Sequence, residues 1–188
     1  MKEKFTVKKI ALLGVLTACS LITFLIESLF PSILIPGAKL GISNVFVLWT
    51  LVLLGGMESA VVLVVKTVLG GLIVGNPFGI VYGFTAGAVA LTVEWVLLRF
   101  CYPKVSIVAI SVVGAVLHNA VQTILFCLIT DTPEFFAYMG YLALIGVLSG
   151  GLVGLITYLL IKKIPNSVFE KILITTKKIG GNSESEER

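Results

Sequence analysis

The segment MESAVVLVVKTVLGGLIVG, residues 57–75, decides the fold. It is almost entirely apolar and close to the ~20 residues that a helix needs to cross the hydrocarbon core of a bilayer. Glycines precede it at positions 55 and 56, and Asn76 and Pro77 follow it, so helix-interrupting residues mark both ends. Lys66 lies nine residues from either end. We therefore predict a membrane-spanning helix that carries a cation near mid-depth.

Similar apolar segments lie on both sides of this one. Of all residues, 57% are hydrophobic and only 13% are charged, whereas soluble domains carry about 25% charged residues. This composition excludes an ordinary soluble domain. The predicted spans are residues 10–30, 42–54, 57–75, 78–98, 105–129 and 136–161. We predict an all-α integral membrane protein, a bundle of six transmembrane helices of which the second is short.

Basic residues are concentrated on one side of the predicted spans. Six spans place both termini on the same side, and 12 of the 14 Lys and Arg residues, all except Lys39 and Lys66, flank that side. The positive-inside rule then predicts a multi-pass protein of the cytoplasmic membrane with both termini in the cytoplasm. Residues 1–9 would be a basic cytoplasmic N-terminus and residues 10–162 the transmembrane domain. Residues 163–188 would be an amphipathic, basic segment that meets anionic lipid heads, followed by a disordered tail.

Polar residues inside the spans indicate a binding site. An ionised lysine at mid-depth is costly unless it faces protein, water or a counter-ion. His118, the only histidine, and Gln122 are four residues apart and share a helix face. The predicted substrate-binding residues lie at mid-depth or toward the outer face: Lys39, Asn44, Lys66, Asn76, His118, Asn119 and Gln122. Two lysines, a histidine and several amides favour an anionic or polar ligand that enters from outside.

Structural roles for the same residues stay open. Lys66 would equally be accommodated by an ion pair with a glutamate, and His118 by a hydrogen-bonded position in the core. Asn119 and Gln122 would serve as hydrogen bonds between helices. Lys39 would be an ordinary loop lysine.

Acidic residues are few, and they are expected near the ends of spans. Glu27 lies near the outer end of the first span, while Glu58 and Glu94 lie nearer the cytoplasmic ends, where Glu94 is interpreted with Arg99 as interfacial charge. Asp131 is the only aspartate, so the clustered aspartates that hold magnesium on a diphosphate are missing. We predict no catalytic residue, metal site, cofactor or nucleic-acid partner. The sequence also has no Walker-type loop, so a partner would have to use any ATP.

Three spans carry small residues at intervals of four. Such stripes allow helix backbones to approach closely in lipid. The predicted packing stripes are Gly79, Gly83 and Gly87 in the fourth span and Gly146, Gly150 and Gly154 in the sixth. The first span has a weaker version, Gly14 and Ala18. One of these stripes would instead dock a separate membrane subunit.

Three motifs resemble a known family. The stretches PGAKLGISN (residues 36–44), LGGMESAVVLVVKTVLGGLIVGN (residues 54–76) and GAVLHNAVQ (residues 114–122) are similar, in order and spacing, to the Gx transporter family. These membrane proteins are often labelled heptaprenyl diphosphate synthase component I. The family usually carries an arginine at the position of Lys66. The lysine of this chain keeps the positive charge but cannot make the bidentate contact to an anion that an arginine makes.

The resemblance implies a fold like that of the substrate-binding S components of energy-coupling-factor transporters. Those six-helix bundles capture a vitamin-like molecule from outside and depend on a transmembrane coupling subunit and ATPases. Small residues of their first helix dock the coupling subunit, which makes Gly14 and Ala18 the expected docking face.

The sequence is compatible with three functions. The first is a membrane subunit that captures and transports a small anionic, vitamin- or isoprenoid-like compound. The second is a membrane accessory component of heptaprenyl diphosphate synthesis that works with a soluble synthase subunit. The third is a purely structural subunit of a membrane complex. An enzyme of its own is not expected.

Overall fold

The computed structural model describes residues 7–29 and 41–163. These residues form six α-helices and no strand, which confirms the predicted all-α six-helix bundle. The helices are α1 Val7–Leu29, α2 Asn44–Leu53, α3 Gly56–Val74, α4 Pro77–Phe100, α5 Ile107–Thr130 and α6 Met139–Lys163, with a short 3₁₀ helix, Pro133–Tyr138, before α6. The predictions for Lys39, for residues 1–6 and for the tail from residue 164 concern parts of the chain outside the described residues.

The helices have the lengths and the surface of a multi-pass membrane protein. In the described part of the chain, all except α2 are long and apolar enough to cross a bilayer. With 10 residues, α2 is about 15 Å long and covers only half of a ~30 Å hydrocarbon core. Large apolar side chains point outward along the long helices, whereas hydroxyl groups and Lys66 are buried inside. An outer surface this rich in large apolar side chains differs from that of a soluble domain and suits contact with lipid.

Local sequence signals set several helix ends. Gly75 ends α3 in the left-handed conformation, with φ at 73°. Asn76 then caps α4 by accepting a hydrogen bond from the Gly79 N–H at 2.8 Å, and Pro77 occupies the first helical position. The hydroxyl of Ser106 caps α5 in the same way through the Ala109 N–H. These signals divide the apolar chain into separate helices.

Contacts between helices give their directions. Neighbours along the chain run antiparallel, and α1 and α3 run parallel. The pairs that show this are Ser20–Ser43 and Leu16–Leu53 for α1 and α2, Val47–Ser59 and Asn44–Lys66 for α2 and α3, Gly71–Ile80 and Gly87–Leu63 for α3 and α4, Tyr82–Phe126 and Glu94–Gly114 for α4 and α5, Gly146–Val116 and Gly154–Val108 for α5 and α6, and Lys9–Glu58 and Phe24–Gly70 for α1 and α3. Val7 and Lys163 therefore lie at the same end of the bundle, here called the terminal end. Which side of a membrane this end faces stays a prediction.

The short helix α2 is the most buried of the six. Seven of its 10 residues are buried, and it contacts α1, α3 and α6. The Ser59 hydroxyl of α3 donates to the carbonyl of Val47 at 2.7 Å, which ties the two helices together. The predicted short span is thus a core helix, and its first residue, Asn44, is held inside the bundle.

The glycine stripes of α4 and α6 face inward. On α6, a side chain at Gly146, Gly150 or Gly154 would meet backbone atoms of α5 at 3.3 Å or less. On α4, a side chain at Gly87 would collide with Leu63 of α3, while one at Gly83 would make an ordinary contact with Thr67. These faces are occupied within the bundle.

Candidate functional site

A cavity of about 170 Å³ opens between the helices, in the half of the bundle away from the terminal end. All six helices contribute to its wall. Six of the seven predicted binding residues line it: Asn44, Lys66, Asn76, His118, Asn119 and Gln122. The seventh, Lys39, lies outside the described residues. The structure brings these six side chains to one place, and their role in binding stays a prediction.

Lys66 is the buried cation of this cavity. It lies on the cavity face of α3 and is only 4% exposed. Its Nζ donates to Oδ1 of Asn44, the first residue of α2, at 2.5 Å. A buried ammonium group with a polar wall and an adjacent cavity can attract an anion, because desolvation strengthens each charge interaction.

Two of the predicted binding amides also hold the fold together. Nδ2 of Asn119 donates to the carbonyl of Leu142 on α6 at 2.9 Å. Oδ1 of Asn76 caps α4, as described above. The interhelical role considered for Asn119 is therefore present in the structure. Gln122 and His118 lie on the same wall of the cavity and complete its polar side.

Glu27 has a role that the sequence analysis did not assign. Its carboxylate accepts hydrogen bonds from the backbone N–H groups of Ile42, at 2.6 Å, and Ser43, at 3.2 Å. These groups directly precede α2, so the carboxylate satisfies donors at the N-terminal end of that helix. Since Asn44 is the next residue, Glu27 helps to position the partner of Lys66.

We expect Glu27→Gln to destabilise the protein by about 1–3 kcal/mol, because an amide replaces a carboxylate that accepts two backbone hydrogen bonds. The measurement is thermal unfolding of the purified chain in detergent. Glu134→Gln is the matched control, since Glu134 is exposed in the 3₁₀ helix. Equal melting temperatures for the two variants would show that the Glu27 contacts contribute nothing.

Glu94 is not interfacial charge, and that interpretation is wrong. Its carboxyl group lies against Gly114 of α5, where any added Cβ would collide with it. Glu94 also lines a smaller, inner cavity of about 40 Å³, which shares Asn44 and His118 with the larger one. A signal was available in the sequence: Glu94 lies seven residues after Gly87, and so on the inward face of α4.

Several further residues that line the cavities were not predicted from the sequence. Thr67 and Tyr82 add hydroxyl groups to the larger cavity, Ser149 of α6 lines both cavities, and Phe24 of α1 adds an aromatic ring. Serine, threonine and tyrosine occur throughout these helices, so only the tertiary structure distinguishes those that face the cavity.

The family model for heptaprenyl diphosphate synthase component I matches residues 16–160, which are 145 of the 188 residues. The chain belongs to this family. The match covers all the described walls of both cavities. The relationship to Gx transporters and to S components stays a prediction. Comparison with curated proteins and with solved structures found no match.

Proposed function

We propose that this chain is a membrane accessory component of heptaprenyl diphosphate synthesis, and that it binds the diphosphate head group of an isoprenoid at Lys66. The observation that carries the proposal is a buried lysine on the wall of a cavity between membrane helices, in a chain of this family. A diphosphate requires positive charge and hydrogen-bond donors, and Lys66, His118 and Gln122 supply both kinds of group.

The size of the cavity supports a head-group site. Its volume of about 170 Å³ is below the ~300–1,000 Å³ of pockets that enclose drug-sized ligands. A diphosphate fits, whereas a long prenyl chain would have to extend between the helices toward lipid. The outer surface of the helices is apolar and suits such a chain.

The chain is proposed as an accessory component because it lacks the clustered aspartates that would hold magnesium on a diphosphate. Its single aspartate, Asp131, follows α5 and is exposed. A soluble synthase subunit would supply the ligands for magnesium, while this chain would retain the product or intermediate at the membrane.

Reconstitution tests this proposal. The full chain in lipid vesicles is mixed with the soluble synthase subunit, and the rate of product formation and the length of the prenyl product are measured. We expect the pair to form heptaprenyl diphosphate faster than the soluble subunit alone, and Lys66→Met to remove the gain. Identical products from the soluble subunit with and without the chain would refute the accessory role.

Capture and transport of an anion is the second candidate, and the position of the cavity favours it. The cavity lies away from the terminal end, which the charge bias of the sequence predicts to be cytoplasmic. A ligand would then enter from outside, on the side away from a cytoplasmic synthase subunit.

Cysteine labelling distinguishes the two candidates. Gln122→Cys is made in a background in which Cys19, Cys101 and Cys127 are replaced by alanine, and a membrane-impermeant thiol reagent is added to one side of sealed vesicles. Labelling from the periplasmic or outer side supports capture and transport. Labelling from the cytoplasmic side supports the accessory component.

A transport role would also need a docking face, and the exposed small residues of α1 are the proposed one. Gly14 and Ala18 are exposed, and a side chain at Gly14 would meet no described atom within 4 Å. We expect Gly14→Leu and Ala18→Leu to leave the thermal stability of the purified chain unchanged. If this face binds a coupling subunit, both variants will lose that subunit on gentle purification, while Val15→Leu will retain it. Retention by all three variants would exclude docking through Gly14 and Ala18.

A further inference from the structure

The wall of the larger cavity changes from polar to apolar along α3. Lys66, Thr67, Gly71 and Val74 line the cavity from this helix, and their spacing places them on one helix face. From Lys66 to Val74 this face is about 12 Å long. Val74 is 43% exposed, so the cavity reaches the surface of the bundle there. The cavity thus continues from the buried lysine to an open end, away from the terminal end.

Two aromatic side chains border this face of α3 from the helices on either side. Phe24 of α1 and Tyr82 of α4 both line the cavity, and α3 packs between α1 and α4. The ring of Phe24 lies on Gly70, where an added Cβ would be 2.5 Å from its Cδ1. The ring of Tyr82 packs edge to face on Phe126, with centroids 6.2 Å apart. Packing therefore fixes both rings beside the cavity.

Glycines line much of the remaining wall. Gly71 of α3 and Gly79 and Gly83 of α4 border the cavity with bare backbone. At Gly83 an added Cβ would meet only Thr67, in an ordinary contact at 3.7 Å, so helix packing does not require glycine there. Its effect is to keep the cavity wide. This part of the cavity is called the slot, and it is lined by Phe24, Gly71, Val74, Gly79, Tyr82 and Gly83.

We propose that the slot holds the first isoprene unit of a prenyl diphosphate whose head group lies at Lys66. The inference rests on the proposed binding of a head group and adds how the chain recognises what is attached to it. The aromatic and glycine wall offers apolar surface to a hydrocarbon and no charge to a second phosphate group. The slot begins at Gly83, opposite Thr67 and next to Lys66, and ends at the exposed Val74. A prenyl chain that starts at the bound diphosphate can follow it toward the surface.

Binding of two probes to the full chain in lipid nanodiscs tests the slot. Calorimetry gives the affinities of inorganic diphosphate and of dimethylallyl diphosphate, which carries one isoprene unit, and nanodiscs without protein correct for partition into lipid. We expect the wild type to prefer dimethylallyl diphosphate by about tenfold or more. Phe24→Ala should remove most of this preference and leave the affinity for inorganic diphosphate within about threefold. Phe84→Ala is the control, since Phe84 is an exposed ring of α4 outside both cavities.

Gly83→Ala is the second variant, because it adds a group to the slot and removes none from the packing on Gly70. Its melting temperature should equal or exceed that of the wild type, since alanine favours the helix and the added methyl group has room. We expect it to lower the preference for dimethylallyl diphosphate by about threefold or more, because the methyl group occupies space that the isoprene unit needs. Gly151→Ala makes the same change outside both cavities and should bind as the wild type does.

The other outcomes separate this inference from the proposed function. Equal affinities of the wild type for the two probes, both weakened in Lys66→Met, would overturn the slot and leave head-group binding intact. An unchanged preference in folded Phe24→Ala and Gly83→Ala proteins would overturn it by placing the isoprene unit elsewhere. Parallel loss of both probes in a folded Phe24→Ala protein would overturn it by showing that the ring acts only on the fold of the site. Absence of binding of either probe to the wild type would refute the proposed head-group site, and the slot with it.

Discussion

Replacing Lys66 with methionine is expected to weaken binding of farnesyl diphosphate by roughly 30- to 5,000-fold, or about 2–5 kcal/mol. Methionine is unbranched, only one atom shorter than lysine, and uncharged, so the diphosphate loses its buried cation. The loss should be large because Lys66 is 4% exposed, and water cannot replace the contact effectively. Binding is measured by calorimetry on the purified full chain.

Lys66→Arg is the matched variant for this experiment. It retains the charge and adds donors that suit phosphate oxygens, so we expect its affinity to stay within about tenfold of the wild type. Thermal unfolding of both variants separates loss of binding from loss of fold. A Lys66→Met protein that stays folded and binds farnesyl diphosphate as the wild type does would refute the proposed site.

The second large effect is expected at Gly150 on α6. A Cβ at this position would lie 2.8 Å from Cβ of Ala115, from the carbonyl oxygen of Ser111 and from Cα of Val112. Two of these are backbone atoms, which cannot move aside as the end of a side chain can. We expect Gly150→Ala to lower the free energy of unfolding by about 1–3 kcal/mol. We expect the larger side chain of Gly150→Leu to prevent α5 and α6 from packing. The measurement is the melting temperature and the folded yield in detergent.

The neighbouring residue provides an exact control. A Cβ at Gly151 would meet nothing within 4 Å, and both positions lie in the interior of the same helix, so helix propensity changes equally in the two variants. Gly151→Leu should therefore fold with at least the stability of the wild type. Equal destabilisation by the Gly150 and Gly151 variants would show that α5 and α6 are not in this close contact.

Local sequence patterns were enough to predict some residues of the cavity but not others. Lys66 and His118 stand out because charged or titratable groups are rare in apolar spans, and that rarity is visible without a structure. The rarity of charged groups did not identify Glu94 as a cavity residue. Its position in the sequence, close to the end of a predicted span, led to its interpretation as interfacial charge. Its half-buried position against Gly114 depends on the close approach of α5 to α4. Glu27 was missed because its partners are backbone N–H groups, which carry no signal in the sequence.

The sequence by itself determined the helices and their membrane character. Hydropathy, helix breakers and the spacing of small residues are local properties, and lipid requires every spanning segment to satisfy its own backbone hydrogen bonds. Tertiary structure alone decided that Asn44 meets Lys66, that Gly150 faces α5 while Gly151 faces away, and that Glu94 shares a region with His118. These relations depend on the rotation of each helix about its axis and on its neighbours. Each helix of this chain carries apolar residues on all of its faces. The hydrophobic pattern therefore does not show which face is turned toward the interior of the bundle.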